Sequence, residues 1–373
     1  MTIPLIDLLS QYRSLESEID GAIKRVLESG VYINGVETKS FCSEISDYTG
    51  ADFAIPTANG TDSLILSMQA LNIGVGDEVI TSPYSFFASA EAIARVGATP
   101  VFADIDLLTY NLCPEKVEKK ITDKTKAVIP VHIFGQPADM DAFITMGKKH
   151  NLFIIEDACQ ALGARYKNQQ AGTIGVAGCI SFFPTKNLGG YGDGGLVLTN
   201  NEELAHNVQL LASHGSSEKY YHEVIGYNSR LDEIQAAILR IKLKKLNEWN
   251  QKRREKAMIY STAFNTLEIT TPFTNEYVQH VFHLYIIQSK NSKKISDFLL
   301  ERGIATGHYY PCPLHLQKAF RSLGYKNGDL PVAENLANHS LALPLFPELT
   351  NNQQQYIISC IQDFGRLKSR LSK

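Results

Sequence analysis

The residues best suited to chemistry gather where short apolar runs give way to glycine or acid. In SFFPTKNLGGYGDGG, residues 181–195, the run CISFF ends at Pro184 and Lys186 follows. Five of the seven residues from Gly189 to Gly195 are glycine. A lysine at the exit of a buried strand is either a surface residue on a turn or an amine that forms an imine with a carbonyl. The second role needs a partly desolvated site that eases deprotonation. The glycines would let the backbone approach a flat ligand closely. The order G-x-x-x-x-G-K-[ST] is missing, so this is not a Walker loop. In LFIIEDACQALGA, residues 152–164, an apolar run ends in Glu156-Asp157. A carboxylate there sits where open α/β sheets bind ligands, or Asp157 caps a helix begun by ACQALGA. In TANGTDSL, residues 57–64, Gly60 and Thr61 offer backbone N–H groups and a hydroxyl at a helix start. That is a natural phosphate seat, or a simple capped turn. It is not a dinucleotide fingerprint, since G-x-G-x-x-G does not occur there.

Together a phosphate seat, a carboxylate and an imine-forming lysine, each at a strand end, are the parts that hold pyridoxal 5'-phosphate (PLP). The lysine takes the aldehyde, the carboxylate keeps the pyridine nitrogen protonated, and the helix terminus holds the phosphate.

The elements that must position these groups are legible around them. From about residue 50 to 200, the runs DFAIPT, EVITSPY, TPVFADI, AVIPVHIFG, LFIIED, CISFFP and GLVLTN alternate with helical patterns such as TDSLILSMQAL. Several runs lack polar alternation, as strands buried on both faces do. The alternation predicts a largely parallel sheet covered by helices. A long helical pattern starts at about Leu231. Its basic stretch from Arg240 to Lys256, with Glu248 and Glu255 interspersed, reads as a solvated face. HVFHLYIIQ then reads as a strand, ISDFLLERGIA as a helix ending at Gly303, and TGHYYPCPLHLQ as a proline-broken loop. We place a large domain at 1–249 and a smaller one at 250–373.

Composition narrows the function classes. The chain has 373 residues, 44% hydrophobic and 20% charged, with a formal net charge of -3. This supports a packed core and gives no electrostatic footprint for nucleic acid or an acidic membrane. No apolar run reaches the ~20 residues that span a bilayer. The start MTIPLIDLLSQYRS lacks the features of a secretory signal. Six scattered cysteines without a C-x-x-C read as reduced thiols in a cytoplasmic protein. Ten dispersed histidines without H-E-x-x-H, and His308 and His315 seven apart across two prolines, argue against a metal site.

Through these motifs the chain resembles the DegT-type nucleotide-sugar aminotransferases, a branch of the fold-type-I PLP enzymes. The likeness runs from IPLIDLLSQY through GVYINGVE, ANGTDSL, IPVHIFGQPADM, IEDACQALGA, SFFPTKNLGGYGDGG and GYNSRLDEIQAAIL to HYYPCPLHLQ and LALPLFPEL. It implies an α/β, aspartate-aminotransferase-like fold. That fold has a mostly parallel seven-stranded sheet with helices on both faces and a smaller C-terminal α+β domain.

The resemblance also implies roles. Lys186 matches the Schiff-base lysine that moves the proton. Asp157 matches the partner of the pyridine nitrogen, and Gln160 the contact of the ring's phenolic oxygen. Gly60, Thr61 and Ser181 match the phosphate cup, and Phe86 the aromatic over the ring. Asn228 matches an asparagine reaching the phosphate of the neighbouring subunit, which implies a homodimer with shared active sites. Arg230 is a candidate for a substrate carboxylate or the sugar nucleotide, or for a structural ion pair. Many relatives carry His-Tyr-Pro before the P-x-H segment. Here Tyr309-Tyr310-Pro311 stands in that register with His308 one position earlier, so these three are the candidate sugar contacts.

The implied reaction moves the amine of L-glutamate to a nucleotide-linked keto sugar. Proline ahead of Thr185-Lys186 and Asn-Leu-Gly after it resemble the 3-aminotransferases of dTDP-3-keto-6-deoxyhexoses. Loops 214–222 and 306–317 would then set regiochemistry. Amination of a 4-keto sugar or a UDP-linked 3-keto sugar is the alternative. A regulatory protein with a dead site and a nicotinamide enzyme are the readings from other classes. The intact Lys186 and the missing G-x-G-x-x-G argue against them.

Overall fold

A computed structural model describes residues 2–371, with side chains described from Thr2 to Arg366. The strands are β1 (Phe53–Thr57), β2 (Glu78–Thr81), β3 (Thr99–Phe102), β4 (Thr125–Ile129), β5 (Phe153–Asp157), β6 (Arg165–Tyr166), β7 (Gln169–Gln170), β8 (Ala177–Ser181), β9 (Gly195–Thr199), β10 (Val278–Gln279), β11 (Tyr285–Gln288) and β12 (Ser340–Leu343). Seven form the main sheet, in the order β1-β9-β8-β5-β4-β2-β3. Strands β3, β2, β4, β5 and β8 run parallel, whereas β9 runs antiparallel to both β8 and β1. This reversal places Gly195 opposite both Thr57 and Ser181. The ends of β1, β5 and β8 therefore share one edge, the edge that open α/β sheets use for ligands.

The strands are apolar on both faces because helices cover both. On one face Leu64 and Met68 of helix Gly60–Ala70, Ile93 of helix Ala88–Arg95 and Val208 of helix Glu202–Ala212 pack on Ile155 and Val197. On the other, Phe41 of helix Val36–Thr49 and Leu239 of helix Glu233–Leu243 pack on Ile180 and Leu196. Phe143 of helix Met140–His150 covers Val128 and Ile154. Burial of such side chains contributes about 1.5–3 kcal/mol each.

Helix Leu246–Phe264 links the two parts. Trp249 near its start packs with Leu15 and Ile241, and Tyr260 and Phe264 near its end lie in the C-terminal core. The expected division at 249/250 thus falls inside a continuous helix. The C-terminal core forms around the antiparallel pair β11–β12 and helices Ser292–Leu300 and Asn351–Leu371. Ile3 belongs to this core, held between Gly303 and Ala305 by backbone bonds of 2.8 and 2.9 Å.

Four local expectations change. ACQALGA forms turns instead of a helix, because the Ala158 N–H is drawn to Cys179 O across the sheet and Gly163 adopts φ +88°. The pattern from Leu231 is two helices, Glu233–Leu243 and Leu246–Phe264. The run AVIPVHIFG stops as a strand at Ile129, since Pro130 has no N–H to continue the ladder. HVFHLYIIQ is a strand only from Tyr285, because Val281 donates to Gly135 O and the Phe282 and His283 carbonyls accept from Arg253.

Candidate active site

The Gly60 turn has the form expected of a phosphate seat. Asn59 caps helix Gly60–Ala70, its side chain accepting from the Asp62 N–H at 2.8 Å and its carbonyl from the Ser63 N–H at 3.1 Å. The Gly60 and Thr61 N–H groups are left without an intrachain acceptor among the described residues, at the positive end of the helix. A Cβ at Gly60 would lie 2.8 Å from both Cys159 Sγ and Ser181 Cβ, so only glycine fits this approach. Thr61 and Ser181 are half-buried beside it.

Asp157 closes β5 and is 6% exposed. Its Oδ2 accepts from Ser89 Oγ at 2.7 Å and its Oδ1 from the Cys159 N–H at 3.3 Å. No helix follows it, which removes the helix-cap reading. Lys186 follows β8; its N–H donates to Phe183 O at 2.8 Å, and its side-chain amine makes no hydrogen bond or ion pair among the described residues. Burial pulls its amine below the ordinary lysine range, while Cys159 and Asp157 oppose that shift. Gln160 Oε1 accepts from the Phe134 N–H at 2.8 Å, and its Nε2 donates to the Tyr310 hydroxyl at 3.1 Å.

An aromatic wall stands in front of these groups. Tyr310 lies edge-on to Tyr84 at 6.0 Å, stacks on Phe134 at 6.5 Å and meets Phe86 at 6.4 Å. Phe86 is 58% exposed, unlike a core phenylalanine. The Tyr84 hydroxyl donates to Tyr309 O, so this loop is tied to the strand-end side. His308 is exposed and its Nδ1 lies 3.2 Å from Ser340 O. Of the three shifted residues, Tyr310 is the one bonded to Gln160.

Asn228 and Arg230 stand apart. Asn228 is exposed and its Oδ1 accepts from Arg230 Nε at 2.8 Å. Ser229 between them donates to Asp62 Oδ2 at 2.7 Å and accepts from the Ala58 N–H at 2.9 Å, which fastens the segment beside the Gly60 turn.

Sequence reasoning missed Ser89, Tyr84, Phe134 and Ser229, whose roles depend on contacts far along the chain. It noted Glu156 only as the neighbour of Asp157. Glu156 is fully buried and accepts four hydrogen bonds, from His132 Nε2 at 2.8 Å and from the N–H groups of Gly172, Ile174 and Gly175 at 2.7–2.8 Å. The Ala138 N–H donates to His132 Nδ1 at 3.0 Å, which assigns the proton to Nε2.

The residues present fit PLP. A glycine cradle with two free N–H groups suits the phosphate, Asp157 suits a pyridinium, and the unpaired Lys186 amine suits the aldehyde.

The model of the DegT/DnrJ/EryC1/StrS aminotransferase family matches residues 13–362. The chain belongs to that family and is by class a sugar-nucleotide aminotransferase. It is 48% identical over 369 residues to the pleiotropic regulatory protein of Geobacillus stearothermophilus, covering 98% of this chain and 99% of that one. It is 42% identical to the UDP-N-acetyl-3-dehydro-alpha-D-glucosamine 3-aminotransferase of Acidithiobacillus ferrooxidans, covering 96% and 97%. It is 41% identical to the dTDP-3-amino-3,4,6-trideoxy-alpha-D-glucose transaminase of Streptomyces venezuelae, covering 97% and 96%. Among solved structures, S. venezuelae DesV in complex with a ketimine intermediate superposes with a TM-score of 0.96 at 41% identity, over 98% of both chains. Bacillus subtilis NtdA with bound cofactor PMP gives 0.89 at 31%, over 96% of this chain and 82% of that one. No helix among the described residues is long and apolar enough to cross a membrane.

Proposed function

We propose that the chain moves the amine of L-glutamate to carbon 3 of a dTDP-linked 3-keto-6-deoxyhexose, with PLP as carrier. The products are 2-oxoglutarate and a dTDP-3-amino-3,6-dideoxyhexose. The observation that carries the reading is the convergence of Lys186, Asp157 and the Gly60–Thr61 turn at one sheet edge, with Lys186 unpaired. Carbon 3 is supported by the S. venezuelae and A. ferrooxidans relatives, both named for amino transfer at that position.

When bound, PLP supplies an aldehyde for the incoming amine and a ring that takes up the electron pair left by a departing C–H proton. The chain does the rest. The Gly60 and Thr61 N–H groups and Ser181 hold the phosphate. The Asp157 carboxylate holds a proton on the pyridine nitrogen, and Ser89 steadies that carboxylate. Gln160 is fixed between Phe134 and Tyr310 and so presents one orientation. Lys186 Nζ would hold the cofactor's aldehyde, and its free amine would take the donor's Cα proton and deliver a proton to the acceptor's carbon 3. Burial lowers its proton affinity, which favours the free amine that a base needs. Phe86 and Tyr310 shield the reacting face from water. His308, Tyr309 and Arg230 line the approach for the sugar nucleotide. A homodimer completes each site, with Asn228 serving the phosphate of the partner.

Two other readings have an observation each. The A. ferrooxidans relative favours a UDP-linked 3-keto sugar, and the name of the G. stearothermophilus relative favours regulation. Offering dTDP-linked 3-keto, dTDP-linked 4-keto and UDP-linked 3-keto sugars separately, with glutamate, decides among them. The first is expected to turn over fastest, with the new amine on carbon 3 by NMR. Faster turnover of either other sugar overturns the corresponding half of the proposal. No turnover of any, in a protein that binds PLP, supports regulation.

A further inference from the structure

The side chains behind Lys186 form a closed circuit that the reaction, as described above, leaves without a role. Asn187, next in the chain, is buried at 5% exposure. Its Nδ2 donates to Asn250 Oδ1 at 2.7 Å and to Val281 O at 3.0 Å. Asn250, in helix Leu246–Phe264 and 2% exposed, donates its own Nδ2 to Leu162 O at 3.2 Å. Leu162 is two residues past Gln160. Two amides in series therefore tie the lysine loop to the turn that carries Asp157 and Gln160.

The circuit closes on the other side. The Val281 N–H donates to Gly135 O at 3.0 Å, and the Phe134 N–H holds Gln160 Oε1. Two non-glycine residues in this stretch, Phe134 at φ +56° and Phe282 at φ +44°, lie in the left-handed region. Such backbone persists only where the surroundings over-determine it. Gly163 makes room for the brace, since a Cβ there would lie 2.3 Å from Asn250 Nδ2. Arg253, one turn further along the helix, takes the Phe282 and His283 carbonyls and fixes the strap.

A side-chain amide is the group this place asks for. Asn187 donates twice, and Asn250 donates once and accepts once, without either adding charge near the lysine. A carboxylate would face a carbonyl, and an aliphatic side chain would leave buried carbonyls unpaired. Packing alone would be served by apolar side chains; a pair of directional amide bonds specifies one geometry instead, although Asn187 Oδ1 itself is buried without a partner among the described residues.

We propose that Asn187 and Asn250 are positioning residues: the amide pair sets the separation between Lys186 and the Asp157–Gln160 turn on which proton transfer at Lys186 Nζ depends. This rests on the reading of Lys186 as the reactive amine. The pair also accounts for Asn-Leu-Gly after the lysine, since Asn187 spends its donors on this brace and not on a sugar.

The test uses holoenzyme of Asn250→Ala, Asn250→Asp, Asn187→Ala and the double alanine variant. Asn247→Ala is the control; Asn247, one turn earlier in the same helix, accepts from the Tyr48 hydroxyl at 2.8 Å. The readouts are kcat, KM for glutamate, the pH at which the bound cofactor changes colour, and Tm. Misplacing reacting groups by an ångström costs about a hundredfold in rate. We expect kcat of the Asn250 variants to fall by about that factor, with KM within about threefold and a moved colour midpoint. The double variant should be no slower than the worse single one, because the pair acts as a unit. Asn247→Ala should match the parent protein. A lowered Tm with unchanged kcat and colour midpoint overturns the proposal, as does an additive double variant. If Asn250→Ala fails to fold, Asn250→Asp, of equal volume, carries the same expectation. Lys186→Ala is assayed alongside. Turnover by that variant sinks the reading of the lysine, whereas an inactive Lys186→Ala beside parent-like Asn250 variants sinks the brace alone.

Discussion

Replacing Asp157 with asparagine separates charge from shape. The substitution keeps the volume and one oxygen, which accepts from either Ser89 Oγ or the Cys159 N–H but no longer serves both as a carboxylate does. The lost charge-assisted component costs the free protein on the order of 1 kcal/mol. The loss at the cofactor is larger. A pyridine nitrogen facing a neutral amide at a site only 6% exposed has no compensating charge. Breaking a buried charged pair costs about 3–5 kcal/mol. At about 1.4 kcal/mol per decade the rate of amine transfer should fall by roughly two to four orders of magnitude. A stopped-flow record of the cofactor's colour after mixing with glutamate reads this step alone, and a thermal melt of the same sample reads the fold. The expected outcome is a collapse in rate with a small change in Tm. A drop of less than about tenfold would refute the assignment of Asp157 to the pyridine nitrogen.

Other outcomes are expected elsewhere. Lys186→Ala should abolish turnover while PLP is still retained through phosphate and pyridine contacts; dialysis followed by cofactor assay checks it. Mixing Lys186→Ala with Asn228→Ala subunits should restore activity in hybrids, since one site then carries neither lesion; no recovery despite proven subunit exchange counts against shared sites. Glu233→Gln should cost about 1–3 kcal/mol of stability, because this carboxylate accepts from the N–H groups of Gly35, Glu37 and Thr38 at the start of helix Val36–Thr49; a denaturant titration measures it. Lys242 is fully buried, with Nζ donating to Gly189 O at 2.5 Å, and burial lowers its pKa to about 8. The unfolded chain binds this proton up to about pH 10.5, so its contribution to stability rises from pH 8 to 10.5, by about 3 kcal/mol. Subtracting the Lys242→Met titration from that of the parent protein should isolate the rise, and a flat difference would contradict it.

Much of the sheet was legible because its strands are uninterrupted apolar runs bounded by turn residues, as in FIIED and GLVLT. The Gly60, Asp157 and Lys186 segments were legible because each places a functional type at a strand exit. The hydrogen-bonding partners were not. Ser89 looks like any helical serine until it lies 2.7 Å from Asp157, 68 residues away. ACQALGA has helix-forming alanines and leucine, yet its first N–H joins the sheet instead, a tertiary contact overriding propensity. Ile3 reads as part of the first domain by position and packs in the C-terminal core by contact.

The reversed strand β9 has a consequence for biosynthesis. β1 pairs with β9 alone in the sheet, and the Gly60 turn leads straight out of β1. A chain leaving the ribosome therefore holds residues 53–57 ready while their partner, residues 195–199, has yet to be made. The gap is about 140 residues, which at about 5–20 residues per second is roughly 7 to 28 s. Through that interval the β1 edge is an unpaired strand, open to a neighbouring nascent chain. The Gly60 turn meets the segment carrying Lys186 only when that segment has also emerged, so a chain stalled before residue 195 has neither a finished sheet nor a completed candidate site.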